Sequence, residues 1–278
     1  MDNKKILTIQ DISCLGQCSL TVALPVISAC GIETCVLPSA VLSTHTGGFS
    51  GYTFRDLTED MPAIARHWEK EGIKFDAFYT GYLGSAKQIS YVLDIFNSVA
   101  SEGALRIVDP AMADNGVLYA GFPSDFPAQM LKLCVAADYV VPNITEACLM
   151  TGTEFKTEYG KEYITELISA LTEKGVKNII LTGVSYDKDK TGVVVFENGE
   201  YSYYEHQKLP HGCHGTGDVY ASVFTGAIAR GRTARDAARI AADFTYDCIE
   251  FTQKNYPDHW YGVHFEPLLH TLEDALQA

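Results

Sequence analysis

The chain has 278 residues, 47% hydrophobic and 20% charged, with 21 Lys and Arg against 35 Asp and Glu, a net charge of −14. A chain of this size buries most of its unfolded surface, which excludes disordered, collagen-like and mini-protein architectures. The negative balance repels nucleic acid and anionic membranes at long range, yet permits a small phosphorylated ligand held by backbone N–H groups and a bound cation.

The opening MDNKKILTIQDIS has no apolar stretch suited to a signal peptide, and no run approaches the ~20 apolar residues of a membrane span. A cytoplasmic protein is expected. The eight cysteines form no C-x-x-C pair and mostly have apolar neighbours, as reduced thiols in a core would.

Taken in chain order, residues 5–10 read as a buried strand and 19–30 as a helix stopped by Gly31. Strands follow at 33–37, 77–80, 105–109, 139–142 and 178–182. Between them, helices are predicted over 61–71, 85–101 and 162–174; the second is apolar at Ile89, Val92, Leu93 and Phe96, one helix face. Residues 192–196 and 201–205, joined across Asn198-Gly199, read as a hairpin on a type I′ turn. Helices over 216–230, 234–250 and 266–277 complete the chain. Such alternation implies βαβ crossovers and a mainly parallel sheet with helices on both faces, in one domain over 1–278.

Ligands of open α/β sheets sit beyond the carboxyl ends of the strands. Polar residues collect there: Asp11 after the first strand, residues 44–48 past the second, residues 81–84 past the third. Asp109 closes the fourth, Asn143 to Glu146 follow the fifth, and Thr182 ends the sixth. The strongest local motif is Gly215-Thr216-Gly217-Asp218, running into an apolar helix. Its glycines admit close backbone approach, and the helix start offers unpaired N–H donors to an anion. Asp218 in the first turn is placed to take a proton from a hydroxyl. The same motif also suits a plain loop with a helix cap. No G-x-x-x-x-G-K-[ST] occurs, so a P-loop kinase is excluded.

Taken with Asp109-Pro110, residues 142–146 (Pro-Asn-Ile-Thr-Glu) and 81–85 (Gly-Tyr-Leu-Gly-Ser), this motif resembles the ribokinase-like superfamily. More narrowly, the chain resembles the pyridoxal/pyridoxamine (vitamin B6) kinases, from Thr8 through the last helix. The resemblance implies transfer of the ATP γ-phosphoryl group to the 5′-hydroxymethyl of a B6 vitamer, by a homodimer. It makes Asp218 the base and Gly215 and Gly217 the anion hole. It puts Asp109, Asn143 and Glu146 beside the phosphates and Mg²⁺, with Thr182 and Thr216 in the ATP site. A monovalent cation is left open. Thr46 and Tyr82 match residues around the pyridine ring, and Tyr119 a tyrosine on a flap signalled by Asp114-Asn115-Gly116. Two departures bear on vitamer choice. Asp11 stands where the family commonly has serine, so a cationic partner such as pyridoxamine is expected to be favoured. Residues 116–118 lack the flap cysteine of some members. Hydroxymethylpyrimidine kinase is the rival activity, and a non-catalytic vitamin or nucleotide binder the rival class; the retained base and anion hole argue against the latter. Cys213, His45, His211 and His214 read as packed or hydrogen-bonded loop residues.

Overall fold

The computed structural model describes residues 4–277. A pleated strand sends successive side chains to opposite faces, and the buried strands of this chain use both. In β1 (Lys5–Ser13), Ile6 enters one core while Leu7 and Ile9 enter the other. The chain continues through α1 (Leu20–Ala29), β2 (Glu33–Leu42), β3 (Phe54–Asp56), α2 (Met61–Lys70), β4 (Phe75–Thr80), α3 (Ala86–Ser98) and β5 (Ala100–Val108). A small ribbon, β6 (Ala113–Asp114) and β7 (Val117–Leu118), precedes α4 (Phe126–Ala136), β8 (Tyr139–Val140), α5 (Ile144–Thr151) and α6 (Lys161–Glu173). Then come β9 (Asn178–Val184), β10 (Lys190–Glu197), β11 (Glu200–Gln207), α7 (Thr216–Ala229), α8 (Ala234–Asn255) and α9 (Thr271–Gln277).

The sheet order is β11-β10-β9-β8-β5-β4-β1-β2-β3. Its middle six strands are parallel, and β3, β10 and β11 are added antiparallel at the two edges. Helices α1, α7, α8 and α9 close one core and α2 to α6 the other. Because β1 pairs with β2 on one side and β4 on the other, the connections diverge there, the kind of switch point beside which open α/β sheets bind ligands.

Two local expectations need correction. The helix expected over 85–101 ends at Ser98, since Ala100 already pairs with Phe75 at the start of β5. Asp11 does not follow the first strand; β1 runs on to Ser13, and Asp11 lies inside it, 4% exposed. The hairpin turn forms as read, with Asn198 at φ 53° and Gly199 at φ 86°, the two positive φ values of a type I′ turn.

Candidate active site

Beyond the carboxyl ends of β5, β8 and β9 lies a cleft of about 420 Å³. Asp109, Asn143, Glu146 and Thr182 line it from the sheet, Gly215 to Asp218 from the start of α7, and Tyr119 from the segment after β7. Val193, Tyr246 and Ile249 give it an apolar portion. Nothing but glycine fits at 215. Its φ is +78°, and a Cβ there would stand 1.8 Å from the Gln17 carbonyl oxygen. That contact seats the first turn of α7 against the 14–19 loop. The Thr216 hydroxyl donates back to the Cys213 carbonyl at 3.3 Å.

Asp218 is half-buried in that turn and accepts a hydrogen bond from the Ser19 backbone N–H. Burial, assisted by the charge of Asp11, pushes its carboxyl up to about 7. Ser19 holds φ 55° and ψ −130°, a conformation that costs a side-chain-bearing residue about 1–3 kcal/mol. The strain buys a donor aimed at Asp218 from the neighbouring loop.

Asp109 is buried just past β5 and accepts from the Ala111 N–H through Oδ1 at 3.1 Å. Burial, then the charges of Glu146 and Asp218, push it well above the usual carboxylate range. Burial also raises Glu146 to about 7. Asn143 and Glu146 form a capping box at the start of α5. Asn143 Oδ1 accepts from the Glu146 N–H at 2.9 Å, and Glu146 Oε2 accepts from the Asn143 N–H at 2.8 Å. Glu146 Oε1 takes the Met112 N–H at 3.1 Å, and Asn143 Nδ2 donates to the Ala113 carbonyl at 2.8 Å. These two residues therefore brace the chain entering the β6–β7 ribbon. Asp109 alone of the three keeps a carboxylate oxygen without a hydrogen-bond partner among the described residues.

Among the described residues, no three His, Cys, Asp or Glu side chains form a metal cage. The donor set fits Mg²⁺, which keeps several waters and uses phosphate oxygens as ligands. A cation at Asp109 would also relieve the repulsion among Asp109, Glu146 and Asp218.

Asp11, Thr46 and Tyr82 are not among the residues lining the cleft. Asp11 accepts from the Ser13 hydroxyl at 3.0 Å; burial raises its pKa, against hydrogen bonds from Ser19 and Ser13. Tyr82 packs on Phe122 at 5.4 Å between ring centres, and burial, then the Asp11 charge, lifts its phenol to about 12. Thr46 is exposed beside the buried His45. Asp218 is thus influenced by Asp11 on one side and faces the cleft on the other.

His45 is hydrogen-bonded as its sequence context suggests, whereas Gln17, Phe49 and the segment 256–266 had no signal in the sequence reading. His45 donates from Nε2 to the Tyr261 carbonyl at 2.6 Å and accepts the Gly47 N–H at Nδ1 (3.1 Å), so both ring nitrogens are engaged. Gln17 is clasped between His259 (2.9 Å) and Glu266 (3.2 Å). Phe49 packs on Trp260 at 4.7 Å. The segment 256–266 therefore straps the 44–49 loop and the loop beneath Gly215. Asp114, noted only as a turn residue, lines the cleft; so does Cys213, whose thiol burial raises rather than activates.

Residues 24–263 match the phosphomethylpyrimidine kinase family. The chain belongs to that family. Among solved members, a candidate phosphomethylpyrimidine kinase from Bacteroides thetaiotaomicron, crystallised with pyridoxal, is 36% identical, with a TM-score of 0.92 over 98% of this chain and 96% of its own. The pyridoxal kinase of Lactobacillus plantarum is 30% identical, with a TM-score of 0.88 over 97% and 96%. A pyridoxal kinase of Granulibacter bethesdensis is 26% identical over 89% of each chain. The fold of this family member is accordingly that of the pyridoxal kinases of the ribokinase-like superfamily.

Proposed function

We propose that this chain is an ATP-dependent kinase, acting as one domain in the cytoplasm, that phosphorylates the 5′-hydroxymethyl group of a vitamin B6 vitamer. One observation carries the reading: Asp218, with a carboxyl near 7, stands between a nucleotide-sized cleft and the group of Asp11 and Tyr82. In this reading the Asp218 carboxylate takes the hydroxyl proton as the substrate oxygen attacks the γ-phosphorus. The bond to the β-phosphate oxygen breaks and ADP leaves. The N–H groups at Gly215 and Gly217 receive the charge that builds on the transferred group. Asp109 would hold Mg²⁺, with Asn143 and Glu146 fixing its surroundings and Thr182 and Thr216 contacting ATP. Bound Mg²⁺ would neutralise phosphate charge. Thr46, Tyr82 and Tyr119 would enclose the ring. Asp11, where the family commonly has serine, would favour a cationic vitamer.

Phosphorylation of hydroxymethylpyrimidine is the second reading, favoured by the family match itself. Both rings are flat heteroaromatic alcohols. ATP consumption by the purified protein with pyridoxal, pyridoxamine, pyridoxine and hydroxymethylpyrimidine in parallel decides between them. The largest kcat/KM is expected for a B6 vitamer, pyridoxamine ahead of pyridoxal, with Asp11→Ser narrowing that preference. Turnover of hydroxymethylpyrimidine alone would reverse the assignment, and no turnover would leave a binding protein. We further propose a homodimer: Tyr52 and Phe54 are exposed at or beside β3, whose outer edge has no strand partner among the described residues. Light scattering of the same preparation should give twice the chain mass.

A further inference from the structure

The cleft presents Asp109, Asp114, Glu146 and Asp218, and among the described residues no Lys or Arg lines it. A nucleotide polyphosphate brought there meets four acidic side chains and no side-chain cation among the described lining residues. One cation at Asp109 offsets only part of that charge, so a further positive source is required for tight binding.

The structure has one close by. A second cavity, of about 620 Å³, joins the cleft at Asp114, Asn143, Thr182 and Gly183, and Lys156, Lys188 and Lys208 line it. Lys156 is already used: its ammonium lies 5.1 Å over the Tyr163 ring. The ammonium groups of Lys188 and Lys208 have no ion-pair or hydrogen-bond partner among the described residues.

The backbone brings the segments that carry these two lysines together. The Ser185 hydroxyl lies 2.7 Å from the Asp187 carbonyl and 2.6 Å from that of Lys190, closing a tight turn at the end of β9. Asp187 Oδ1 accepts the Asp189 N–H at 2.9 Å within the turn, and its carboxylate lines the same cavity, as does Glu158. The Asp189 carbonyl then accepts the Lys208 N–H at 2.8 Å, fastening the strand end after β11 to the same turn. A braced turn and an anchored strand end thus carry two cations without an ion-pair or hydrogen-bond partner among the described residues into the cavity that adjoins the acidic cleft. Both line the second cavity, which shares Thr182 and Gly183 with the cleft.

We propose that Lys188 and Lys208 form a cationic rim that takes the diphosphate portion of the nucleotide. The proposal rests on the nucleotide-dependent reading above and adds its electrostatic partner on the protein side. The same chemistry would suit a free phosphate ion bound beside the nucleotide, and the test separates the two.

The Mg²⁺-supplemented wild-type protein, Lys188→Gln, Lys208→Gln and the double variant are titrated calorimetrically with ADP and with adenosine. Each single change should weaken ADP about three- to tenfold, the range of a partly exposed charge pair, and the double change more. Adenosine, which lacks phosphate, should bind all four alike. Lys188→Arg should restore ADP affinity, and Lys132→Gln on α4 should leave it unaltered. The ADP effect should shrink at high salt, as exposed charges are screened. An ADP-to-adenosine affinity ratio unchanged in the double variant overturns the proposal. So does lysine-dependent binding of orthophosphate to protein already saturated with ADP, which would make the rim a separate anion site. Failure of every alcohol in the turnover panel would instead remove the kinase reading, while the ADP-to-adenosine ratio would still judge the lysines.

Discussion

A carboxylate that accepts a proton from an alcohol works best when its own pKa lies near the working pH. Asp218 is lifted to about 7 by burial, with Asp11 adding to the shift, while the Ser19 N–H restrains it. Below that pH it is protonated and cannot accept, so kcat/KM for the vitamer should rise with pH and level off above about 7. Asp218→Asn should lose about 10²–10⁴ in kcat and the acidic limb with it. Near-normal turnover in that variant would remove Asp218 from the chemistry. At this scale the sequence was informative wherever the signal was local. Two glycines and an acid ahead of an apolar run are recognisable because their roles depend on backbone freedom and position in one turn. Ser19 was not recognisable. Its importance comes from a strained φ of 55° and a partner far along the chain, and neither leaves a mark on residue type.

At the scale of the element, α5 shows how one legible signal can carry a second task. Asn143 followed three residues later by Glu146 is a helix-start signature. The resemblance puts the pair beside phosphate and Mg²⁺; in the fold they also start a helix whose other early residues are buried on nearly every side. The helix is eight residues long, too short for a clear period. The cap also supports its neighbour, since Glu146 takes the Met112 N–H and Asn143 holds the Ala113 carbonyl. Glu146→Ala should therefore cost more than an exposed cap. It removes the acceptor of two buried amides, a loss of about 1–3 kcal/mol measured by urea unfolding. A loss below a few tenths would show that the box carries no load, and a normal Mg²⁺ requirement in the surviving activity would place its role in folding alone. The other miss, α4, follows from the same weakness: Phe126, Met130, Leu133 and Cys134 have helical spacing, but a Pro-containing, apolar stretch looks equally like loop and core.

At the scale of the molecule, alternating strand and helix patterns disclosed the parallel sheet because each buried strand feeds two cores through its pleat, as 179–181 do through Ile179, Ile180 and Leu181. Strand order and the strap over 256–266 were not disclosed. The strap depends on contacts such as His45 with Tyr261, set by how distant segments pack rather than by any local pattern. The same packing concentrates buried acid in a chain of net charge −14. This has a consequence for stability. A carboxyl whose folded pKa lies above its unfolded value binds its proton more tightly when folded, so its contribution is full at low pH and is lost as pH rises to the folded pKa. For Asp218 that loss runs from about 3.8 to about 7. His214 and His259, both lowered by burial, act in the opposite sense below about 6.5, so the pH profile of the wild type alone would mix the two. The difference between Asp218→Asn and wild type isolates the acid, because asparagine has no charge to desolvate. In thermal unfolding without ligand, that difference in Tm should shift in favour of the variant from pH 5 to pH 7 and then hold steady to pH 8. The active-site charge would then be a folding cost retained for catalysis. A difference in Tm that stays flat across this range would mean that Asp218 ionises as readily in the folded chain as in the unfolded one, and the proton-accepting role would lose its electrostatic basis.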